Sequence, residues 1–209
     1  MPEAVLLLFE MIGTVAFSIS GAMTGIKKGM DAFGVVTLGL VTAVGGGIIR
    51  DLVLGITPPM TFRNPVYAIA AVCTALILCF PGVLRQLNRN HRLYDAVMLV
   101  MDSLGLGIFT VVGIQTAGTV ISSGSIFLLL FVGVITGVGG GVLRDVLAGD
   151  RPYIFVKHIY ACASLTGAVL CIFLWPISGS AAMIAGAGAV VVLRLCAARF
   201  RWSLPRPKP

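Results

Sequence analysis

Apolar runs close to twenty residues long recur along the chain, at 4–25, 32–56, 65–83, 96–117, 125–149, 158–176 and 179–198, with short polar gaps between them. A helix needs about 20 apolar residues to cross a bilayer. The pattern therefore predicts an all-α integral membrane protein of seven transmembrane helices. No gap is long enough for a soluble domain, so residues 1–198 are expected to form one membrane domain and 199–209 a basic tail.

Composition sharpens this reading. With 58% hydrophobic and 11% charged residues and a mean hydropathy of +1.03, the chain carries more apolar surface than one soluble core can hide. The 26 glycines suit close helix contact in lipid. The first ten residues hold Glu3 and Glu10 and no Lys or Arg, so they read as the start of the first span rather than a cleaved leader. Five cysteines lie in apolar runs without a CxxC spacing, and His91 and His158 have no partner at ligand spacing. Neither a metal site nor a cofactor is expected, and no nucleophile with a base suggests catalysis.

The formal charge of +7 is a topology signal rather than a nucleic-acid one. Eleven Lys and Arg fall in gaps on one side of the predicted bundle and only Arg63 on the other. By the positive-inside rule the amino terminus faces out and the carboxyl terminus faces the cytoplasm. The tail, with Arg199, Arg201, Arg206 and Lys208, is suited to anionic lipid headgroups.

An internal repeat is the most informative feature. GGGIIRDLVLGITP from Gly45 recurs as GGGVLRDVLAGDRP from Gly139, an offset of 94, and upstream Thr42 recurs as Thr136. Glu10, Gly13, Phe17 and Gly21 recur as Asp102, Gly105, Phe109 and Gly113 at an offset of 92. Repeat one is thus about 4–83, repeat two about 96–176, and 179–198 is an extra helix. Three spans per copy is an odd number, so the second copy enters the membrane inverted. Inverted repeats are a transport architecture, with the path near the repeat interface.

The chemistry concentrates in the repeated fragment. Gly45, Gly46 and Gly47, and Gly139, Gly140 and Gly141, each weaken a helix by about 1 kcal/mol relative to Ala. They mark either a break that exposes backbone to a wet path or a close contact with a neighbouring helix. Arg50 with Asp51, and Arg144 with Asp145, follow directly; charge at this depth faces the bundle interior or water. Neighbours at i and i+1 do not face each other on a helix, so Arg50 is expected to need another partner. Matching depth nominates Glu10 for Arg50 and Asp102 for Arg144, as pairs or water-bridged near neighbours, serving either as structural ion pairs or as parts of a permeation path. Thr42 and Thr136 are candidate hydroxyls along that path.

The doubled GGGxxRD fragment, the three-plus-three-plus-one plan and the outward amino terminus together resemble prokaryotic members of the trimeric intracellular cation (TRIC) channel family. The resemblance implies a homotrimer in a prokaryotic cell membrane, with one pore per protomer lined by glycine-broken helices 2 and 5, conducting monovalent cations with K⁺ prominent. It places Gly45–Gly47, Arg50, Asp51, Gly139–Gly141, Arg144 and Asp145 at the pore, and the reading of the residues themselves adds Glu10, Asp102, Thr42 and Thr136 as supporting polar groups. Bacterial relatives of the same domain are described as glycine transporters, so a carrier of a small zwitterion is the second reading.

Overall fold

The computed structural model describes residues 3–83, 91–120, 125–156 and 159–202, and every regular element among them is helical. Helix α1 (Glu3–Lys27) ends in a turn through Gly29, whose φ of +69° is one that glycine adopts without penalty. Asp31 then opens α2 (Ala32–Val53), its carboxylate accepting the Gly34 N–H at 2.8 Å, the usual service of an N-cap side chain. A four-residue helix α3 (Met60–Arg63) leads into α4 (Val66–Leu78). The second copy repeats the order with α5 (His91–Val120), α6 (Ile126–Leu147), α7 (Tyr153–Val156) and α8 (Tyr160–Leu174). Helix α9 (Gly179–Phe200) closes the described chain.

The two copies correspond bond for bond where α2 and α6 end. Leu54 N–H donates to the Arg50 carbonyl and Ala148 N–H to the Arg144 carbonyl, both at 2.9 Å, while Ile56 N–H to Asp51 and Asp150 N–H to Asp145 are both 2.8 Å. Gly55 and Gly149 share a φ of +72°. This is the glycine-terminated helix end in which the last orphan carbonyls are satisfied.

Helices α1 and α5 run antiparallel. Tyr94, near the start of α5, donates from its hydroxyl to the Met23 carbonyl at the far end of α1, and Phe17 meets Phe109 at mid-length with ring centroids 5.3 Å apart. The repeats are therefore inverted relative to one another. Helix α9 packs on α5 and α8 and, among the described residues, on no helix of the first copy.

The surface is largely apolar, and charge is held in the interior. Phe33, Phe127, Phe173 and Ile177 are exposed, whereas Asp51, Asp102, Thr136 and Arg144 are buried, the distribution of a protein whose solvent is lipid. Among the described residues, five helices are long and apolar enough to cross a membrane: α1, α2, α5, α6 and α9. Expected spans 65–83 and 158–176 yield helices of only 13 and 15 residues, about 20 and 22 Å long at 1.5 Å per residue. Pro81 and Pro176 account for their early ends, since a proline has no N–H with which to continue the helical hydrogen-bond ladder. Among the described residues there are thus five apolar helices of full span and two shorter ones. Of the cysteines, Cys171 is buried, whereas Cys73 and Cys162 lie on the surface.

Candidate functional site: two charged clusters at opposite ends of one helix pair

Each helix that carries GGGxxRD delivers an Arg–Asp unit to the same local arrangement. Arg50 Nε donates to Asp51 Oδ1 at 2.8 Å, and Arg144 Nε to Asp145 Oδ1 at 2.8 Å. The other carboxylate oxygen accepts a backbone N–H from the short helix that follows: Met60 to Asp51 at 2.7 Å, Tyr153 to Asp145 at 2.8 Å. Pro59, the residue before α3, offers no capping side chain, so Asp51 satisfies from a distance an N–H that the short helix leaves orphaned. The expectation that adjacent Arg and Asp could not serve each other is corrected here. That rule concerns Cβ directions, whereas the long arginine side chain folds back along its own helix to reach its neighbour.

A second carboxylate joins each unit from the antiparallel pair. At one end the Tyr67 hydroxyl donates to Glu10 Oε2; at the other the Tyr160 hydroxyl donates to Asp102 Oδ1 at 3.4 Å. From there the two ends diverge. Arg144 Nη1 donates to Asp102 Oδ1 at 2.7 Å and also to the Ser20 hydroxyl, so the proposed Asp102–Arg144 pair is present. Glu10 and Arg50 form no ion pair; they stand in the wall of one shared cavity. Glu10 has taken Tyr67 as its donor, and Arg50 has taken Asp51.

Arg194 of α9 is the residue that sequence reasoning passed over. Its Nη2 donates to Asp102 Oδ2 at 3.1 Å, and its guanidinium lies 4.6 Å from the centre of the Tyr160 ring. A third arginine inside an apolar run was the available signal. Without a counterpart in the other copy, it had no partner that the repeat could nominate.

Two cavities enter from opposite ends of the α1/α5 pair. One, of about 250 Å³, has Glu10, Gly47, Arg50, Asn64, Tyr67 and Thr116 in its wall. The other, of about 630 Å³, is walled by Lys27, Lys28, Tyr94, Asp102, Asp150 and Arg194. Phe17, Thr42, Thr136 and Arg144 lie between them, each at most 1% exposed.

The glycine triplets do not interrupt their helices; α2 and α6 are α-helical throughout 45–47 and 139–141. The expectation of glycine-broken helices is corrected by what the glycines touch. A Cβ on Gly46 would strike the Thr136 carbonyl oxygen, and one on Gly140 would strike the Thr42 carbonyl oxygen. The two helices cross backbone against backbone, and that contact requires glycine while the hydrogen-bond ladder stays intact. Gly45 would meet Leu143 Cδ1 at 2.5 Å, Gly139 the Gly46 Cα at 3.2 Å and Gly141 the Tyr160 hydroxyl at 2.7 Å, whereas Gly47 has only the end of Arg50 at 3.8 Å. Gly47 alone of the six has room beside it and a place in a cavity wall. Thr42 and Thr136 do not turn their hydroxyls to any path either. Each donates to its own helix, to the Leu38 and Val132 carbonyls at 2.6 Å.

A family model described as "Glycine transporter" matches residues 7–81 and 99–176, the two copies defined above. The chain is 35% identical over 203 residues to the inner membrane protein YadS of Escherichia coli strain K12, covering 95% of this chain and 93% of that one. Among solved structures it is similar to a chain described under conductance through TRIC cation channels, at 37% identity, TM-score 0.79 and 97% coverage of both chains. It is also similar to the TRIC orthologue from Rhodobacter sphaeroides, at 33% identity, TM-score 0.84 and coverage of 94% of this chain and 98% of that one. A matching fold, a matching repeat and whole-chain identity above 30% agree: this membrane protein belongs to the glycine transporter domain family and to the prokaryotic branch of the TRIC family.

Proposed function

We propose that the chain is a monovalent cation channel, conducting K⁺, with one pore in each protomer of a homotrimer. The observation that carries this reading is the pair of cavities entering from opposite ends of α1 and α5, each with a carboxylate, Glu10 or Asp102, in its wall. A fixed carboxylate on a low-dielectric wall raises the local cation concentration. The buried layer around Phe17 and Arg144 divides the path and corresponds to a closed state. Arg144 is the residue whose displacement would join the cavities, because it ties α6 to both α5 and α1 through Asp102 and Ser20. The pore candidates retained from the sequence are Gly47, Arg50, Asp51, Arg144 and Asp145, with Glu10 and Asp102; Gly45, Gly46, Gly139 and Gly140 set the crossing that holds them, and Gly141 packs on Tyr160.

The names of the solved relatives, which describe cation conductance and a trimeric channel, support the permeant class and the assembly. The inner membrane naming of the Escherichia coli relative supports a cell-membrane location, and the Lys/Arg asymmetry supports an outward amino terminus.

A second reading has its own support. Glu10 and Arg50 place opposite charges on one 250 Å³ cavity, where a small zwitterion such as glycine would set its ammonium against the carboxylate and its carboxylate against the guanidinium. Purified protein in liposomes separates the two. A K⁺ gradient driving a sustained electrical current supports the channel; counterflow of labelled glycine without such a current supports the carrier and overturns the channel.

A further inference from the structure

The two charged clusters are copies of one another except for what α9 adds. At the Glu10 end there are two carboxylates, Glu10 and Asp51, and one guanidinium, Arg50. At the Asp102 end there are two carboxylates, Asp102 and Asp145, and two guanidiniums, Arg144 and Arg194. The first cluster has a formal charge of −1 and the second is neutral. Remove Arg194, and the second acquires the charge of the first.

We propose that Arg194 makes the pore electrically asymmetric: contributed by the one helix outside the repeat, it cancels the charge of Asp102 and gives the current a preferred direction. The inference rests on the channel reading above. Asp102 and Arg194 both stand in the wall of the 630 Å³ cavity, whereas Arg144 is fully buried behind them. A cation entering that cavity therefore meets Asp102 already matched by Arg194. The other charged groups there leave no surplus of carboxylate: Lys28 is bonded to Asp150 at 2.6 Å, Lys27 lies 5.3 Å from the centre of the Tyr94 ring, and Asp95 stands beside them. A cation entering at the opposite end meets Glu10, whose donor is the neutral Tyr67 hydroxyl, and Arg50, whose charge is already matched by Asp51 at 2.8 Å.

Arg194 is placed for this task. It is 4% exposed, it rests on the face of Tyr160, and its Nε has no hydrogen-bond acceptor among the described residues. Among the described residues, one hydrogen bond and one ring face hold it, and Asp102 is the carboxylate to which its charge is directed. A charge within a cavity wall acts on ion entry through the local potential, and the effect fades as salt screens it.

The test uses full-length protein in planar bilayers with the same KCl solution on both sides, reading the ratio of currents at equal and opposite voltages. Wild type is expected to rectify at low salt and less so at high salt. Arg194→Gln is expected to bring the low-salt ratio toward unity, by at least about twofold, through a larger current for cations entering at the Asp102 end. Arg194→Lys, which keeps the charge, should restore the wild-type ratio; a residue needed only for packing would not follow charge in this way. Glu10→Gln provides a second route should Arg194→Gln fail to assemble. It leaves both clusters neutral and should bring the ratio toward unity through a smaller current. Cation currents with an unchanged ratio in either variant overturn the proposal and leave the channel reading standing. Absence of cation current from properly folded wild type overturns both.

Discussion

Arg144 and Arg50 occupy equivalent places in the two copies and are expected to differ in what their loss costs. Arg144 is fully buried and bonds to α5, α1 and its own helix through Asp102, Ser20 and Asp145; Arg50 bonds to Asp51 and borders a cavity. Breaking a buried pair by removing one partner costs about 3–5 kcal/mol. Arg144→Ala should therefore lower the melting temperature of the purified protein in detergent clearly more than Arg50→Ala does. Equal shifts would mean that Arg144 ties no helices together. If the melting loss is moderate enough to allow recording, Arg144→Ala should also raise open probability, since the layer between the cavities loses its largest side chain. These roles were only partly legible in the sequence. Asp102 with Arg144 was found because equal depth in facing helices suffices to nominate a pair. Equal depth also nominated Glu10 for Arg50, and no ion pair forms there because Tyr67 and Asp51 are better placed, and hydroxyl or adjacent-residue partners leave no periodic trace. Arg194 needed the fold itself, since only packing shows that α9 lies against α5.

At the scale of the helix, the glycine triplets divide into packing and non-packing positions, and substitution distinguishes them. Gly46→Ala or Gly140→Ala drives a methyl group into a backbone carbonyl, which has little room to yield. Overpacking of this kind costs about 1–3 kcal/mol, and reduced yield of assembled protein with a lowered melting temperature is expected for both. Gly47→Ala meets only the mobile end of Arg50 and should melt like wild type, so that any change in conductance reports on the cavity. Should Gly140→Ala melt like wild type, the close crossing of α2 and α6 is wrong. Sequence reading located these helices to within a few residues because their apolar runs are long and their ends carry glycine. It missed α3 and α7, since a four-residue helix has too few positions to show a period. It also overran α4 and α8, where hydropathy continues through residues that proline removes from the helix.

For the whole molecule, the Lys/Arg distribution predicts which way the bundle sits. In a background without native cysteines, a thiol at Arg63, exposed in α3, should react with an impermeant reagent in intact cells. One at Arg151, exposed just before α7, should react only after permeabilisation. The reverse pattern would invert the topology. Arg85, Arg89, Lys157, Arg206 and Lys208, which contribute to the asymmetry, lie outside the described residues. Most of the tail, from residue 203, lies there too. Its proposed contact with anionic lipid is tested by deleting 203–209, which should weaken binding to anionic relative to neutral nanodiscs. Unchanged binding removes the tail from that role.

The reciprocal crossing at Gly46 and Gly140 has a consequence for how such a chain is put together. Gly46 meets Thr136 and Gly140 meets Thr42, so each copy offers the other the surface that it receives, the geometry of an isologous dimer contained within one polypeptide. A single copy of the repeat therefore encodes a self-complementary face, and two identical copies would build this crossing only if one entered the bilayer upside down relative to the other. For separate copies that requires a sequence whose positive charges do not commit it to one orientation. Joining them in one chain with an odd number of spans each removes that requirement, because the first copy fixes the second. Once linked, the halves are free to accumulate a one-sided distribution of Lys and Arg, and a further helix such as α9 against one half alone, without losing the fit at their shared axis.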